Sequence, residues 1–183
     1  KNVHLLLRKK DKGRGAAGKD GFQYCLDNGA DVIIEMDADL SHDPRYIPQM
    51  LSELKNADMV LGSRRLQGSK EVGRGPLRRF ITWGANLYIT IMLGIKVKDC
   101  NSGYRCFKRK VLETINVSKL QAKGPAIVQE VLYKAHLKGF KIKEIPITFV
   151  NRKIGKSKLG LAELGAGYWM VLKLKFLHLG GRI

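Results

Sequence analysis

The chain has 183 residues, enough for one hydrophobic core of ordinary size and too few for two comfortable domains. Apolar residues make up 44%, which excludes a disordered chain, and no 18-residue apolar run is present to span a bilayer. Lys and Arg number 34 against 16 Asp and Glu, and the resulting +18 calls for an anionic partner: nucleic acid, an acidic membrane face or a phosphorylated substrate.

The chain opens without Met and directly in an apolar run, Val3 to Leu7, which reads as an internal strand of a longer protein with a truncated amino terminus. No signal peptide is visible. A basic, glycine-bearing loop follows from Arg8 to Lys19. Its Gly13, Gly15 and Gly18 suggest a phosphate cradle, although neither G-x-G-x-x-G nor the Walker pattern is present. Lys12 and Arg14 are candidate contacts to a pyrophosphate or base, or else solvated surface charge. Ala16 to Asn28 reads as a helix with Phe22, Cys25 and Leu26 inward and Gly29 as its left-handed stop.

Val32 to Pro44 (VIIEMDADLSHDP) is the most informative stretch. An apolar run of strand length stops at Asp37 and Asp39, which places two carboxylates at the carboxyl edge of a sheet, where open α/β folds bind ligands. Carboxylates this close repel unless a cation lies between them, and the chemistry suits a hard divalent ion shared with a substrate phosphate. A solvated acidic loop is the alternative. His42, beside the pair, reads as structural rather than catalytic. Asp43-Pro44 is a helix start, with Ile47, Met50, Leu51 and Leu54 at helical spacing.

A strand at Met59 to Leu61 ends in Gly62-Ser63-Arg64-Arg65, so cations are again delivered at a strand's carboxyl end. This alternation predicts a mostly parallel sheet flanked by helices. Gln67 to Gly75 reads as a mobile loop over the site. Pro76 opens a helix to about Leu93 that is apolar on most sides, with Arg78 and Arg79 in its first turn. It is either a core element or partly interfacial. Asp99 to Phe107 turns into a short strand bearing Arg105, and helices follow at Lys108 to Ile115 and after Pro125. Ile142 to Val150 is an edge strand because of Pro146. Asn151 to Lys158 is a further basic loop. The tail from Leu161 mixes Tyr168, Trp169 and Phe176 with Lys173 and Lys175, as an interfacial helix does. The expected organisation is a catalytic domain over 1–160 and an amphipathic, membrane-proximal tail over 161–183. Cys25, Cys100 and Cys106 have no C-x-x-C spacing and read as buried thiols.

A carboxylate pair, spread arginines and lysine-flecked apolar helices need one explanation. Nucleic-acid binding covers the charge but wants aromatic platforms or a recognition helix, and neither pattern appears. A phosphorylated lipid acceptor covers the charge and the apolar stretches together, with arginine suited to phosphate by its planar fork.

MDADLSHDP with Ile47-Pro48, then DMVLGSR at Asp58 to Arg64, resembles the polyprenyl-phosphate (dolichol-phosphate) mannosyltransferases of the inverting family-two glycosyltransferases. Arg78-Arg79, Gly84-Ala85-Asn86, Ser102-Gly103-Tyr104-Arg105, Ile145 to Phe149 and Gly155-x-Ser157-Lys158-Leu159 continue the likeness. The resemblance implies an α/β fold of the nucleotide-diphospho-sugar transferase (GT-A) type, with its amino-terminal strand missing here. It implies Mg²⁺ or Mn²⁺ held by Asp37 and Asp39, with Asp39, Arg79 and Arg105 as catalytic groups. Arg64 and Arg152 would serve the phosphates, and Ser157 and Lys158 the lipid head. The implied donor is GDP-mannose and the implied acceptor a polyprenyl or dolichyl phosphate, at the cytoplasmic face of a membrane, with no nucleic acid. The competing readings are a UDP-sugar donor on the same fold, or a non-catalytic basic module that binds RNA or membranes. Two departures stand out: Asn151 replaces the family's Asp, and Pro125 to Val128 replace an aromatic-x-aromatic-Gln series, although Glu130 keeps its place.

Overall fold

The computed structural model describes residues 3–9, 13–151 and 161–181. In chain order these form α1 (Arg14–Asp27), β1 (Val32–Glu35), α2 (Ile47–Leu54), β2 (Met59–Ser63), β3 (Lys70–Val72), α3 (Pro76–Leu93), β4 (Arg105–Lys108), α4 (Arg109–Ile115), α5 (Ile127–Leu137), β5 (Ile142–Pro146), β6 (Thr148–Val150) and α6 (Leu161–Leu179). The main sheet has the order β1-β4-β2-β5, and β3 pairs with β6 in a second, two-stranded sheet.

Three main-sheet strands run one way and β4 runs against them, so β4 pairs antiparallel with both β1 and β2, while β2 and β5 pair parallel. The α/β class stands, with a mixed sheet in place of a mostly parallel one. The direction of β1, β2 and β5 brings their carboxyl ends, and the loop leading into β4, to one edge.

Side-chain alternation sorts the sheet's residues onto two cores. Met59, Leu61 and Phe107 face a large cluster with α1, α3, α4, α5 and α6, where Phe22 meets Phe107 edge to face at 5.6 Å. Val60 and Cys106 face a smaller cluster with Met50 and Leu54 of α2 and with Tyr104, Ile145 and Ile147. The helix α6 belongs to the large cluster through buried Val171 and Leu174, and packs on α3 and α5. Tyr88 stacks edge-on against Tyr168 at 4.8 Å.

Local signals place most boundaries. Asp43 accepts the Arg45 N–H at 2.9 Å and caps a single 3-10 turn that leads into α2. Gly29, at φ 74°, ends the α1 connection as expected.

Three expectations change. Val3 to Leu7 forms no ladder with any described strand, and Val3 and Leu5 are each 88% exposed. A short apolar run becomes a strand only where a neighbour takes its backbone hydrogen bonds. The stretch read as a mobile loop, Gln67 to Gly75, contains β3, fixed by parallel pairing of Lys70 to Val72 with Thr148 to Val150. The single extended run after Ile142 is two strands. Ile147 bridges them, its N–H donating to Ser63 O at 3.0 Å and its carbonyl accepting from Lys70 N at 3.1 Å. Pro146 ends β5 on the sheet edge, where its missing donor costs no ladder bond.

Among the described residues no helix is long and apolar enough to cross a membrane.

Candidate active site

The Asp37–Asp39 turn leaves the carboxyl end of β1 and is held in shape by its own neighbours. The Asp37 N–H donates to His42 Nδ1 at 2.9 Å, and the Ser41 N–H donates to Asp39 Oδ1 at 3.1 Å. Leu40 between them takes a left-handed φ of 65°, which costs a branched side chain energy and so marks a turn fixed by its surroundings. His42 is buried, stacked on Tyr104 at 5.0 Å and edge-on to Phe149 at 5.8 Å. Burial lowers its pKa, against the pull of Asp37, and an accepting Nδ1 requires a neutral ring. His42 is a post for the turn, as its sequence position suggested.

Arg14, the first residue of α1, brings Nη2 to 3.3 Å from Asp37 Oδ1 and 3.9 Å from Glu35 Oε1. Glycines make this approach possible. Gly13 enters the helix at φ 142°, and a Cβ on Gly103 would run into the Arg14 guanidinium. Glu35 lies in the β1–β4 ladder opposite Arg105. Burial raises its pKa, while Arg105 and Arg14 oppose that shift.

Two arginines expected at the ligand are used elsewhere. Arg105 is fully buried and donates to Ser102 O at 2.6 Å, to Cys100 O at 3.2 Å and to Val128 O. Burial pulls its pKa down to about 10, with Glu35 resisting, so it stays charged at neutral pH. Its place in the middle of the sheet leaves its donors to backbone carbonyls, and it shapes the 99–105 loop. Arg64 forks onto Asp99, Nε to Oδ2 at 2.7 Å and Nη2 to Oδ1 at 2.8 Å, and its guanidinium lies over the Phe149 ring at 5.3 Å. Its planar fork is filled by a carboxylate of this chain, Asp99. Arg79 stays exposed in the first turn of α3 and donates to Glu71 O. Lys12, Arg152, Ser157 and Lys158 lie outside the described residues.

Several residues of the site escape a reading along the chain. Glu35 shows as a charge inside an apolar strand, and its partners, Arg105 across the β1–β4 ladder and Arg14 at 3.9 Å, come from distant parts of the chain. Asp99 and Glu144 are a second case. Glu144 accepts the N–H groups of Lys98 and Asp99 at 2.8 and 3.0 Å, and so fixes the start of the 99–105 loop. A buried amide chain runs from Gln129 to Asn101 (2.7 Å) and from Asn101 to Asn86 (2.9 Å). It leaves Asn86 Nδ2 and Gln129 Oε1 without partners.

Two hard oxygen donors fit Mg²⁺ or Mn²⁺. Among the described residues no group of three or more His, Cys, Asp or Glu could hold a metal. A hard divalent ion at a nucleotide site takes one or two carboxylates from the protein and the rest of its shell from substrate phosphate and water.

The mixed α/β sheet, with an acidic pair and a cation at its carboxyl edge, is that of a glycosyltransferase of the GT-A kind, as the family match and the solved structures show. Residues 1–115 match glycosyl transferase family 2, and the chain belongs to that family. It is 39% identical over 164 residues to an undecaprenyl-phosphate mannosyltransferase of Micrococcus luteus, covering 90% of this chain and 68% of that protein. It is 38% identical over 159 residues to a polyprenol monophosphomannose synthase of Mycolicibacterium smegmatis, covering 86% of this chain and 60% of that one. The chain therefore spans only part of these relatives. Among solved structures, glucosyl-3-phosphoglycerate synthase from Mycobacterium tuberculosis, in complex with Mn²⁺ and UDP-glucose, superposes with a TM-score of 0.57 at 19% identity, covering 95% of this chain and 55% of that one. The resemblance drawn from the motifs is borne out, and so is the α/β fold it implied.

Proposed function

We propose that the chain is the catalytic part of a polyprenyl-phosphate mannosyltransferase, moving mannose from GDP-mannose to a polyprenyl or dolichyl monophosphate with inversion at the anomeric carbon. The observation that carries the reading is the locked Asp37–Asp39 turn with Arg14 set 3.3 Å from Asp37. The names of the two curated relatives supply the donor sugar and the lipid class.

The acceptor needs no strong base. A phosphate monoester has a second pKa of about 6 and is largely dianionic at neutral pH. One of its oxygens attacks the anomeric carbon as the bond from that carbon to the diphosphate breaks, and the leaving group departs as GDP. Asp37 and Asp39 are the residues that would hold a divalent ion, which would supply charge neutralisation at the leaving diphosphate. Arg14 adds a cation at the same edge, and its guanidinium is oriented by Gly103 and Asp37 before any ligand arrives. From the family likeness we assign Arg79, exposed at the start of α3, and Arg152 to the donor and acceptor phosphates and Ser157 and Lys158 to the lipid head, and from the glycine-bearing loop Lys12 to the pyrophosphate or base. Arg105 and Arg64 hold the 99–105 loop that walls the site.

The lipid acceptor also requires a membrane face, which we assign as cytoplasmic. The exposed apolar residues Leu77, Phe80 and Ile91 of α3 lie on the same helix as exposed Arg78 and Arg79, and α6 adds exposed Trp169 and Phe176 beside Lys173. Apolar side chains rimmed by cations suit an anionic bilayer surface.

The test is transfer by the complete protein from labelled GDP-mannose to polyprenyl phosphate, with UDP-glucose as competitor. The expected result is a metal-dependent mannolipid, abolished in Asp39→Ala and insensitive to UDP-glucose. Full transfer by Asp39→Ala with metal chelated overturns the mechanism, and preference for UDP-glucose overturns the donor.

A further inference from the structure

We infer that Glu130, on α5 and away from the reacting atoms, is a positioning residue for the donor site, setting Arg14 against Asp37 through the backbone of residues 121–123. The inference deepens the proposed function and rests on its reading of Asp37 and Asp39 as the diphosphate site.

The chain of contacts is continuous. Glu130 is completely buried, and its carboxylate accepts the Gln121 N–H at 3.0 and 2.9 Å and the Ala122 N–H at 2.8 Å. Residues 121–123 lie outside any helix or strand, so this carboxylate does for them what a ladder does for a strand. Lys134, one turn along α5, balances the charge at 2.8 Å and donates to Lys119 O at 3.2 Å. The next carbonyl, that of Lys123, accepts the Gly15 N–H at 3.0 Å. Gly15 has no side chain to hold the two backbones apart, and a Cβ there would run into the Ala122 carbonyl. Lys19 ties the same helix to Ser118 O and Leu120 O at 3.0 and 3.1 Å. The first turn of α1 is therefore seated directly on the segment that Glu130 holds, and Arg14 is the residue before Gly15. At its far end the Arg14 guanidinium sits against Gly103 and 3.3 Å from Asp37.

A buried ion pair is by itself weak evidence of stabilisation, since apolar residues of the same volume do as well. What an apolar replacement would not supply is an acceptor for two backbone N–H groups in an irregular segment. That is a positional task. Displacing a binding cation by about 1 Å is enough to cost up to roughly a hundredfold in rate.

The experiment measures binding of GDP with Mn²⁺ to the complete protein by calorimetry, together with separate KM values for donor and acceptor. The variants are Glu130→Leu with Lys134→Met, which removes the acceptor and its counter-charge together without stranding a buried lysine, and Gly103→Ala. The second displaces the flexible end of Arg14 directly and leaves backbone contacts alone. Each is expected to weaken GDP·Mn²⁺ binding about tenfold and raise the donor KM in step, with acceptor KM and the melting temperature of Gly103→Ala near wild type. Combined with Arg14→Ala, neither should add a further loss, because all act through one guanidinium. Glu130→Asp, which keeps the charge, should recover part of the affinity. Unchanged GDP·Mn²⁺ binding in folded Glu130 variants, or losses that add to that of Arg14→Ala, overturns the inference and leaves the proposed function standing. Failure of the wild-type protein to bind GDP with Mn²⁺ overturns both.

Discussion

Arg64 and Asp99 meet as two forks, each nitrogen of one arm facing an oxygen of the other at 2.7 and 2.8 Å, and the Arg64 backbone N–H adds a third bond at 3.0 Å. Asp99 is fully buried. The pair joins the carboxyl end of β2 to the start of the 99–105 loop, and with Arg105 and Glu144 it holds the loop that sets Gly103 against Arg14. Removing one charge leaves the other buried and unpaired, so Asp99→Asn should destabilise the fold by about 3–5 kcal/mol in chemical denaturation. A loss below about 1 kcal/mol would show that the pair is not what anchors the loop.

The same pair sets a direction in pH. Burial alone would raise the Asp99 pKa, but the Arg64 guanidinium outweighs it and the carboxyl titrates below its ordinary value. Asp58 is also held low, by its hydrogen bond to Lys110, against burial. A carboxylate depressed in the folded state contributes stability above its unfolded pKa of about 3.9, and that contribution is lost as pH falls through the lower, folded value. Stability should therefore be level in this respect near neutrality and fall in acid below about pH 4. The fall should be shallower in Asp58→Asn, and an identical acid profile in that variant would refute the assignment.

Burial pushes the thiols of Cys100 and Cys106 up to about 11. At pH 8 only about one in a thousand of each is thiolate, so both should resist alkylation in the native protein and react on unfolding. Fast native labelling of either, read by peptide mass, would mean that the sheet or the 99–105 loop opens more readily than its packing indicates.

Helix α3 offers the simplest test of membrane attachment. Replacing exposed Leu77, Phe80 and Ile91 together with serine should reduce flotation of the complete protein with anionic vesicles, most clearly at low salt. Unchanged flotation would move the attachment elsewhere. Because these side chains face solvent, the melting temperature should hardly change.

How far the sequence discloses this arrangement depends on how local each signal is. Helix α3, Pro76–Leu93, is read with the right start because Pro at its first position is local chemistry. The Asp37–Asp39 turn is legible for the same reason: an apolar run stops at two carboxylates. That Arg105 and Arg64 are taken up by the protein itself does not show in the sequence, because a cation at a strand end looks alike whether it meets a ligand or a buried carboxylate. Glu35 opposite Arg105 and Asp99 under Arg64 come from distant parts of the chain, and only the β1–β4–β2 pairing brings them together. Val3 to Leu7 fails in the opposite sense, since apolar character alone does not make a strand without a neighbour.

The account turns on Asp37 and Asp39 holding a divalent ion against a nucleoside diphosphate, and electron paramagnetic resonance of Mn²⁺ tests this directly. With GDP present, the complete wild-type protein should immobilise one Mn²⁺ per chain, and Asp39→Ala should leave the Mn²⁺ signal that of the free or GDP-bound ion in solution. An Asp39→Ala protein that holds Mn²⁺ and GDP as tightly as wild type would contradict it.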